Sequence, residues 1–211
     1  VKANNFNLKL NNTTIDPIKL GKILRILKDK NIDNVIMEAS SHGLSQNRLD
    51  SLVFNTGIFT NISQDHLDYH KNFKNYLDAK LYLFKNLIKK KGNVITDDEI
   101  IPFKKVKRIS FNKNLKLYTL NNNKSNFKIL LHFFKDESQI LRIKYNNLIE
   151  DINLKLIGKI QLKNLLMAII AAEKSGLELR KILKVIPKLK AIEGRFEKIG
   201  KIKNKAKVIL D

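Results

Sequence analysis

Two polar stretches, each placed just after a short apolar run, hold most of the side chains that could do chemistry. The run Val35 to Met37 delivers Glu38-Ala39-Ser40-Ser41-His42-Gly43. The run Gly57 to Ile62 delivers Asn61 and then Ser63-Gln64-Asp65-His66-Leu67-Asp68-Tyr69-His70. In open α/β sheets ligands collect beyond the carboxyl ends of the strands, so a carboxylate and an imidazole could share one cleft here. The plainer account is that such loops are polar because they are exposed. Lys80 is more informative. At about 100° per residue, Phe73, Tyr76, Leu77, Leu81, Phe84, Leu87 and Ile88 form one helical stripe, and Lys80 falls near its middle. A lysine on an apolar face often snorkels to water, but this one is expected to be at least partly buried. A buried ammonium needs a partner or a depressed pKa. In its neutral form the amine can take up carbon dioxide as a carbamate, which turns a cation into an oxygen donor suited to a hard cation such as Mg²⁺.

Two other chemistries would draw on the same residues. His42, His66 and His70, with Asp68, leave a three-histidine zinc site open, although His132 is the only further histidine and no metal-ligand spacing favours it. Ser40 and Ser41 beside His42 do not make a hydrolase triad, because adjacent residues on a loop lack triad geometry and no Gly-x-Ser-x-Gly occurs.

The elements that must position these residues read as an α/β fold, a mostly parallel sheet flanked by helices. Asp16-Pro17 fits an N-cap followed by proline at the first helical position, and Ile23, Leu24 and Leu27 carry that helix to about Lys30. Val35 to Met37 and Gly57 to Ile62 read as buried parallel strands, and a helix spans Asn72 to about Lys89. From Val106 to Ile157 the texture changes to alternating stretches, Leu115 to Leu120, Phe127 to Phe134 and Ile140 to Tyr145, which predict a small antiparallel β insertion. Helices over Gln161 to Ser175, with Gly176 as C-terminal cap, and over Leu179 to Ile186 follow, and Val208 to Asp211 reads as a strand.

Composition bounds the rest. The chain has 211 residues, 43% of them hydrophobic, enough for a core. The absence of cysteine excludes disulfides and thiolate metal sites and fits a reducing, cytoplasmic setting. The longest apolar run, Leu165 to Ala172, falls far short of the roughly 20 residues that span a bilayer. A net charge of +21 raises nucleic-acid binding, yet 35 of the 41 basic residues are lysine. They are spread along a chain with 25 Asn and 28 Ile, the mark of AT-rich codons. Arginine, the bidentate reader of bases and phosphates, is scarce, so a basic nucleic-acid-binding module stays the alternative from another class. The positive potential suits anionic small molecules such as nucleotides.

On Asn12-Thr13-Thr14, Met37-Glu38-Ala39-Ser40-Ser41-His42-Gly43-Leu44 with Gln46 and Arg48, Phe59 to Ser63 leading into Asp65-His66-Leu67-Asp68-Tyr69-His70, and Ala79-Lys80, the chain resembles the Mur ligases. The resemblance is to those that add the third peptide residue to UDP-N-acetylmuramoyl-L-alanyl-D-glutamate. Gly158 to Asn164, Gly194-Arg195-Phe196-Glu197 and Asp211 extend the likeness over the whole chain, most weakly in the β insertion. The resemblance implies that residues 1–211 are part of a central ATP-binding domain with a fold like that of P-loop NTPases, 106–157 being the β subdomain. It further implies that Asn12, Thr13, Thr14, Ser40, Gln46 and Arg48 contact UDP-MurNAc-L-Ala-D-Glu. Glu38, His66 and the carbamylated Lys80 would hold Mg²⁺, and Asn164, Arg195 and Asp211 would contact ATP.

Ala39 stands where the family commonly has valine, Phe196 where methionine is usual and Gln161 where asparagine is common, which puts the local nucleotide contact of Gln161 in question. None of the eight glycines forms a Gly-x-x-x-x-Gly-Lys-Ser/Thr loop. In the family that loop and a UDP-binding domain precede Asn12, and a domain that recognises the diamino acid follows Asp211. The chain therefore reads as an internal piece, monomeric and inactive by itself. Another Mur ligase or a folylpolyglutamate synthetase is the runner-up.

Overall fold

The computed structural model describes residues 2–3, 6–10, 13–120, 127–135, 138–145, 148–156, 158–190, 197–201 and 207–210. The backbone forms two compact units, the first made of 1–57, 62–92 and 104–116, the second of 58–61, 93–103 and 117–211.

In the first unit, β1 (Lys2–Ala3) pairs antiparallel with β2 (Phe6–Asn7). Helix α1 (Pro17–Asp29) begins where expected. The Asp16 carboxylate accepts from the N–H groups of Ile18 (2.9 Å) and Lys19 (3.2 Å), two donors the first turn leaves without intrahelical partners. Leu20, Ile23 and Leu27 bury one stripe against Ile15, Leu44, Leu49 and Leu87. The helix ends at a left-handed Asn31 (φ 56°), with Asn31 N–H on Lys28 C=O and Ile32 N–H on Leu27 C=O, the paired bonds of a Schellman turn.

Residues 32–40 then run without regular structure into α2 (Ser41–Ser45). Here the sequence reading is corrected: Val35 to Met37 is not a strand, and Ile36 is 98% exposed. A strand is held by its ladder, and no described strand pairs with this run.

Strand β3 (Phe54–Phe59) begins earlier than the expected 57–62. It is followed by α3 (Leu67–His70), α4 (Phe73–Tyr82), a π-helical turn over Leu83–Leu87, β4 (Ile88–Asp97), α5 (Phe103–Asn112) and β5 (Lys116–Leu120). The helix expected to reach Lys89 thus stops at Tyr82. Its apolar stripe, with Tyr76, Leu77, Leu81, Phe84 and Leu87 buried, continues through the π turn.

The sheet order is β3-β4-β5, and its strands are parallel. Gly92 lies against the Asn55 carbonyl, and four residues on in both strands the Thr96 hydroxyl donates to the Phe59 carbonyl (2.9 Å). The start of the expected β insertion is also corrected. Residues 106–112 belong to a helix whose Val106 and Ser110 are buried, and β5 joins the parallel sheet.

In the second unit, β6 (Phe127–Lys135), β7 (Ser138–Tyr145) and β8 (Leu148–Leu154) form an antiparallel meander. Leu141, Ile143, Ile152 and Leu154 pack with Leu162, Leu165, Leu166, Ile169 and Ile170 of α6 (Lys159–Lys174) in one core. Gly176 closes α6 at φ 98°, a value strained for any residue with a Cβ. Helix α7 (Leu179–Val185) follows, and β9 (Glu197–Lys201) pairs antiparallel with β10 (Lys207–Leu210). No helix among the described residues is long and apolar enough to cross a membrane.

Candidate functional site

Thr14 is the hub of the first polar stretch. It is 2% exposed, donates its hydroxyl to the Glu38 carbonyl (3.0 Å) and accepts from the Ser40 N–H (2.9 Å), so one side chain pins 38–40 at both ends. Its own carbonyl accepts from Arg48 Nη1 at 2.6 Å. Ser40 caps α2, its Oγ accepting from Gly43 N–H (3.1 Å). Gly43 has no alternative there, because a Cβ would stand 2.4 Å from Thr14 Cγ2. Helix α2 ends in a second Schellman turn around a left-handed Asn47 (φ 55°), with Arg48 N–H on Gly43 C=O and Asn47 N–H on Leu44 C=O. Gln46 and Arg48 flank that residue. The structure therefore brings Thr14, Glu38, Ser40, Gln46 and Arg48 together, with Thr13 exposed beside Thr14. Thr14 spends its hydroxyl hydrogen inside the chain, which makes it first a scaffold for its neighbours. Asn12 lies outside the described residues.

The second stretch assembles an imidazole and phenol cluster with the first. The His42 ring stands 5.1 Å from His66, 4.1 Å from Tyr69 and 5.4 Å from His70, centroid to centroid. His66 is left-handed (φ 54°), and its N–H is held by Asp65 Oδ1 at 2.8 Å. His70 is 6% exposed, with Nε2 3.0 Å from Ser41 Oγ. Burial, reinforced by His42 and His66, pushes its pKa below the ordinary imidazole value. Lys80 on α4 is half-buried, as the stripe predicts, its Nζ 5.2 Å from the centroid of the Tyr76 ring. Burial lowers its pKa, while the charges of Glu38 and Asp65 act against that shift.

Among the described residues no group of three or more His, Cys, Asp or Glu side chains converges to hold a metal ion. Glu38 and His66 alone would leave a hard cation short of oxygen donors, and a carbamate on Lys80 would be one source of them. The donor chemistry fits that: a carbamate beside Glu38 and Asp65 gathers negative charge that a divalent cation balances.

The nucleotide residues are divided. Asn164 lies half-buried on α6, whereas Arg195 and Asp211 fall outside the residues whose side chains are described. One residue before Asn164 is a group that sequence reasoning missed. Lys163 reaches the carboxylate of Asp97, at the carboxyl end of β4, and that of Glu99 (2.5 Å), with Lys159 3.8 Å from Glu99. The Asp97 side chain is 4% exposed and that of Lys163 17%. Burial works against the Lys163 charge, but the bonds to Asp97 and Glu99 outweigh it and hold the pKa above the usual lysine value. Burial next to Asp97 and Glu99 raises the Asp98 carboxyl. Nothing in the spacing marked this triad, because its members are 64 and 66 residues apart. Tyr76 was legible as four residues before Lys80, and Tyr69 only as a polar loop residue.

The family model of the Mur ligase middle domain matches residues 1–172. The UDP-N-acetylmuramoyl-L-alanyl-D-glutamate--2,6-diaminopimelate ligase of Rickettsia montanensis is 35% identical over 187 residues, 89% of this chain and 39% of that protein. A solved structure of a ligase of the same name superposes with TM-score 0.80 at 26% identity, covering 90% of this chain and 39% of the other. The crystal structure of MurF ligase from Thermotoga maritima in complex with ADP superposes with TM-score 0.55 at 16% identity, over 71% of this chain and 34% of the other, a likeness of fold. The chain spans about two fifths of the length of the curated relatives it matches. With the parallel sheet and the antiparallel meander, these likenesses establish that the chain belongs to the Mur ligase family, matching its middle domain.

Proposed function

We propose that this chain supplies the ATP- and peptide-binding centre of a ligase that joins a diamino acid to UDP-MurNAc-L-Ala-D-Glu. The D-glutamate side-chain carboxylate takes the γ-phosphoryl group of ATP, giving an acyl phosphate and ADP. The amine of the diamino acid attacks the acyl carbon, and phosphate leaves as the amide forms. Bound Mg²⁺, held by Glu38, His66 and the Lys80 carbamate, would offset charge on the transferring phosphoryl group.

The chain's own residues do the positioning. Thr14 fixes Glu38 and Ser40. The guanidinium of Arg48 and the hydroxyls of Thr13 and Ser40, together with Asn12, offer donors that suit the phosphates and carboxylates of the nucleotide-linked peptide, and the exposed amide of Gln46 adds a polar contact to it. On the ATP side, Asn164, Arg195 and Asp211 would supply the contacts to the nucleotide, for which a guanidinium able to stack on the base is chemically suited. Such a ligase works in the cytoplasm as a monomer and takes small-molecule substrates, with no nucleic acid among its partners.

The observation that carries this is Lys80, half-buried with Glu38 and Asp65 acting on its charge. The test is ¹³C NMR of the chain in ¹³C-bicarbonate with Mg²⁺. A carbamate resonance that disappears in Lys80→Ala is expected, and a spectrum without it, identical in the variant, refutes the assignment.

A further inference from the structure

The hydrogen bonds around Tyr69 have a fixed direction. Ser45 Oγ donates its single hydrogen to the His42 carbonyl (3.0 Å), so at the 3.2 Å contact between Ser45 Oγ and the Tyr69 hydroxyl the phenol is the donor. With its hydrogen spent there, the Tyr69 oxygen accepts from Gln46 Nε2 at 3.0 Å. The relay runs from Gln46 through Tyr69 and Ser45 to the backbone of His42, and the Tyr69 ring lies against the His42 ring with centroids 4.1 Å apart. The Gln46 amide can meet this relay only through its nitrogen. Its Oε1 has no partner among the described residues, and the side chain is exposed.

We propose that Tyr69 is a positioning residue that turns the Gln46 carbonyl oxygen to the substrate side, so that Gln46 accepts a hydrogen bond from an N–H donor, a peptide amide of the nucleotide-linked peptide. The inference rests on the function proposed above and deepens it. It gives Gln46 and Arg48 opposite tasks on the two sides of Asn47. The Arg48 guanidinium, which can only donate, suits carboxylate and phosphate oxygens, while the Gln46 carbonyl selects a neutral N–H. A ligand presenting a carboxylate where the peptide N–H should stand would meet the carbonyl oxygen and be rejected.

The test compares the chain with Tyr69→Phe, which keeps the ring and removes the relay, with Gln46→Ala and with the double variant. Two readouts are used: the Gln46 side-chain NH₂ resonances and titration with UDP-MurNAc-L-Ala-D-Glu. Tyr69→Phe is expected to shift the Gln46 NH₂ resonances without ligand. It should weaken binding about 3- to 10-fold, the worth of one net neutral hydrogen bond, with no further loss in the Gln46→Ala background because Tyr69 acts through Gln46. Unmoved NH₂ resonances, or losses that add in the double variant, overturn the proposal. A chain that shows the resonance shift but binds no UDP-MurNAc-L-Ala-D-Glu overturns the function reading and the substrate half of this inference together. Binding that Tyr69→Phe weakens only additively keeps the function reading and overturns the inference alone.

Discussion

Replacing Lys163 by methionine is the sharpest perturbation available in the second unit. The volume is nearly kept, so the change is almost purely electrostatic. The two carboxylates lose different amounts: the Glu99 side chain is 55% exposed and can be hydrated in place, whereas that of Asp97 is 4% exposed and would be left as a buried charge without its ammonium. Breaking a buried pair from one side costs about 3–5 kcal/mol, and the Glu99 contact, screened by water, adds well under about 1 kcal/mol. In a chain of this size each kcal/mol moves the melting temperature by about 2–4 °C, so Lys163→Met should lower the transition of the second unit by roughly 6–20 °C. The assay is thermal and urea unfolding of the chain, with Lys163→Met, Asp97→Asn and the double variant compared. Removing both charges should recover much of the loss, since an uncharged pair of similar shape has little left to desolvate. A single-variant loss below about 1 kcal/mol, the range of exposed pairs, or a double variant as unstable as the sum of the two, would refute the claim that the pair is a buried, coupled unit.

Two further outcomes test the first unit. Gly43→Ala should cost about 1–3 kcal/mol by overpacking, because the new methyl meets Thr14 Cγ2 at 2.4 Å, and adding Thr14→Ser, which deletes that methyl, should restore part of it in the same urea titration. His70 should make stability depend on acid. Its folded-state pKa lies below the unfolded value of about 6.5, so the unfolded chain binds the extra proton. Stability then falls as pH drops from about 6.5 towards the folded pKa and is level above it. His70→Asn should flatten this part of a melting series between pH 8 and pH 5, and an unchanged slope would show that another group carries it.

The helices were legible wherever a local signal decided them. Asp16-Pro17 starts α1, Gly176 ends α6, and the stripe through Tyr76 and Phe84 placed Lys80 at partial burial, as observed. What was missed depended on partners distant in sequence. Val35 to Met37 has the composition of a strand, but no described strand pairs with it. Strand β4 was hidden because Lys89, Lys90 and Lys91 interrupt its apolar run, and α5 because Lys and Arg fill its exposed face. In the site, the residue types at Thr14, Glu38, Ser40, Gln46 and Arg48 were readable from local strings, but the bonds of Thr14 to residues 24 and 26 positions away were not. Neither was the tie of Lys163 to Asp97, which only the fold brings together.

The join between the π turn over Leu83–Leu87 and the strand that starts at Ile88 has no loop residue in it. Loops are where proteins absorb changes of length, and this passage from helix to sheet offers none within reach of Lys80. One residue inserted between Lys80 and Ile88 would turn the lysine by about 100° around its helix, away from Glu38 and Asp65, or else throw β4 out of register. Length between those two points is therefore as constrained as the identity of the lysine itself, and substitution is the route left open for variation there.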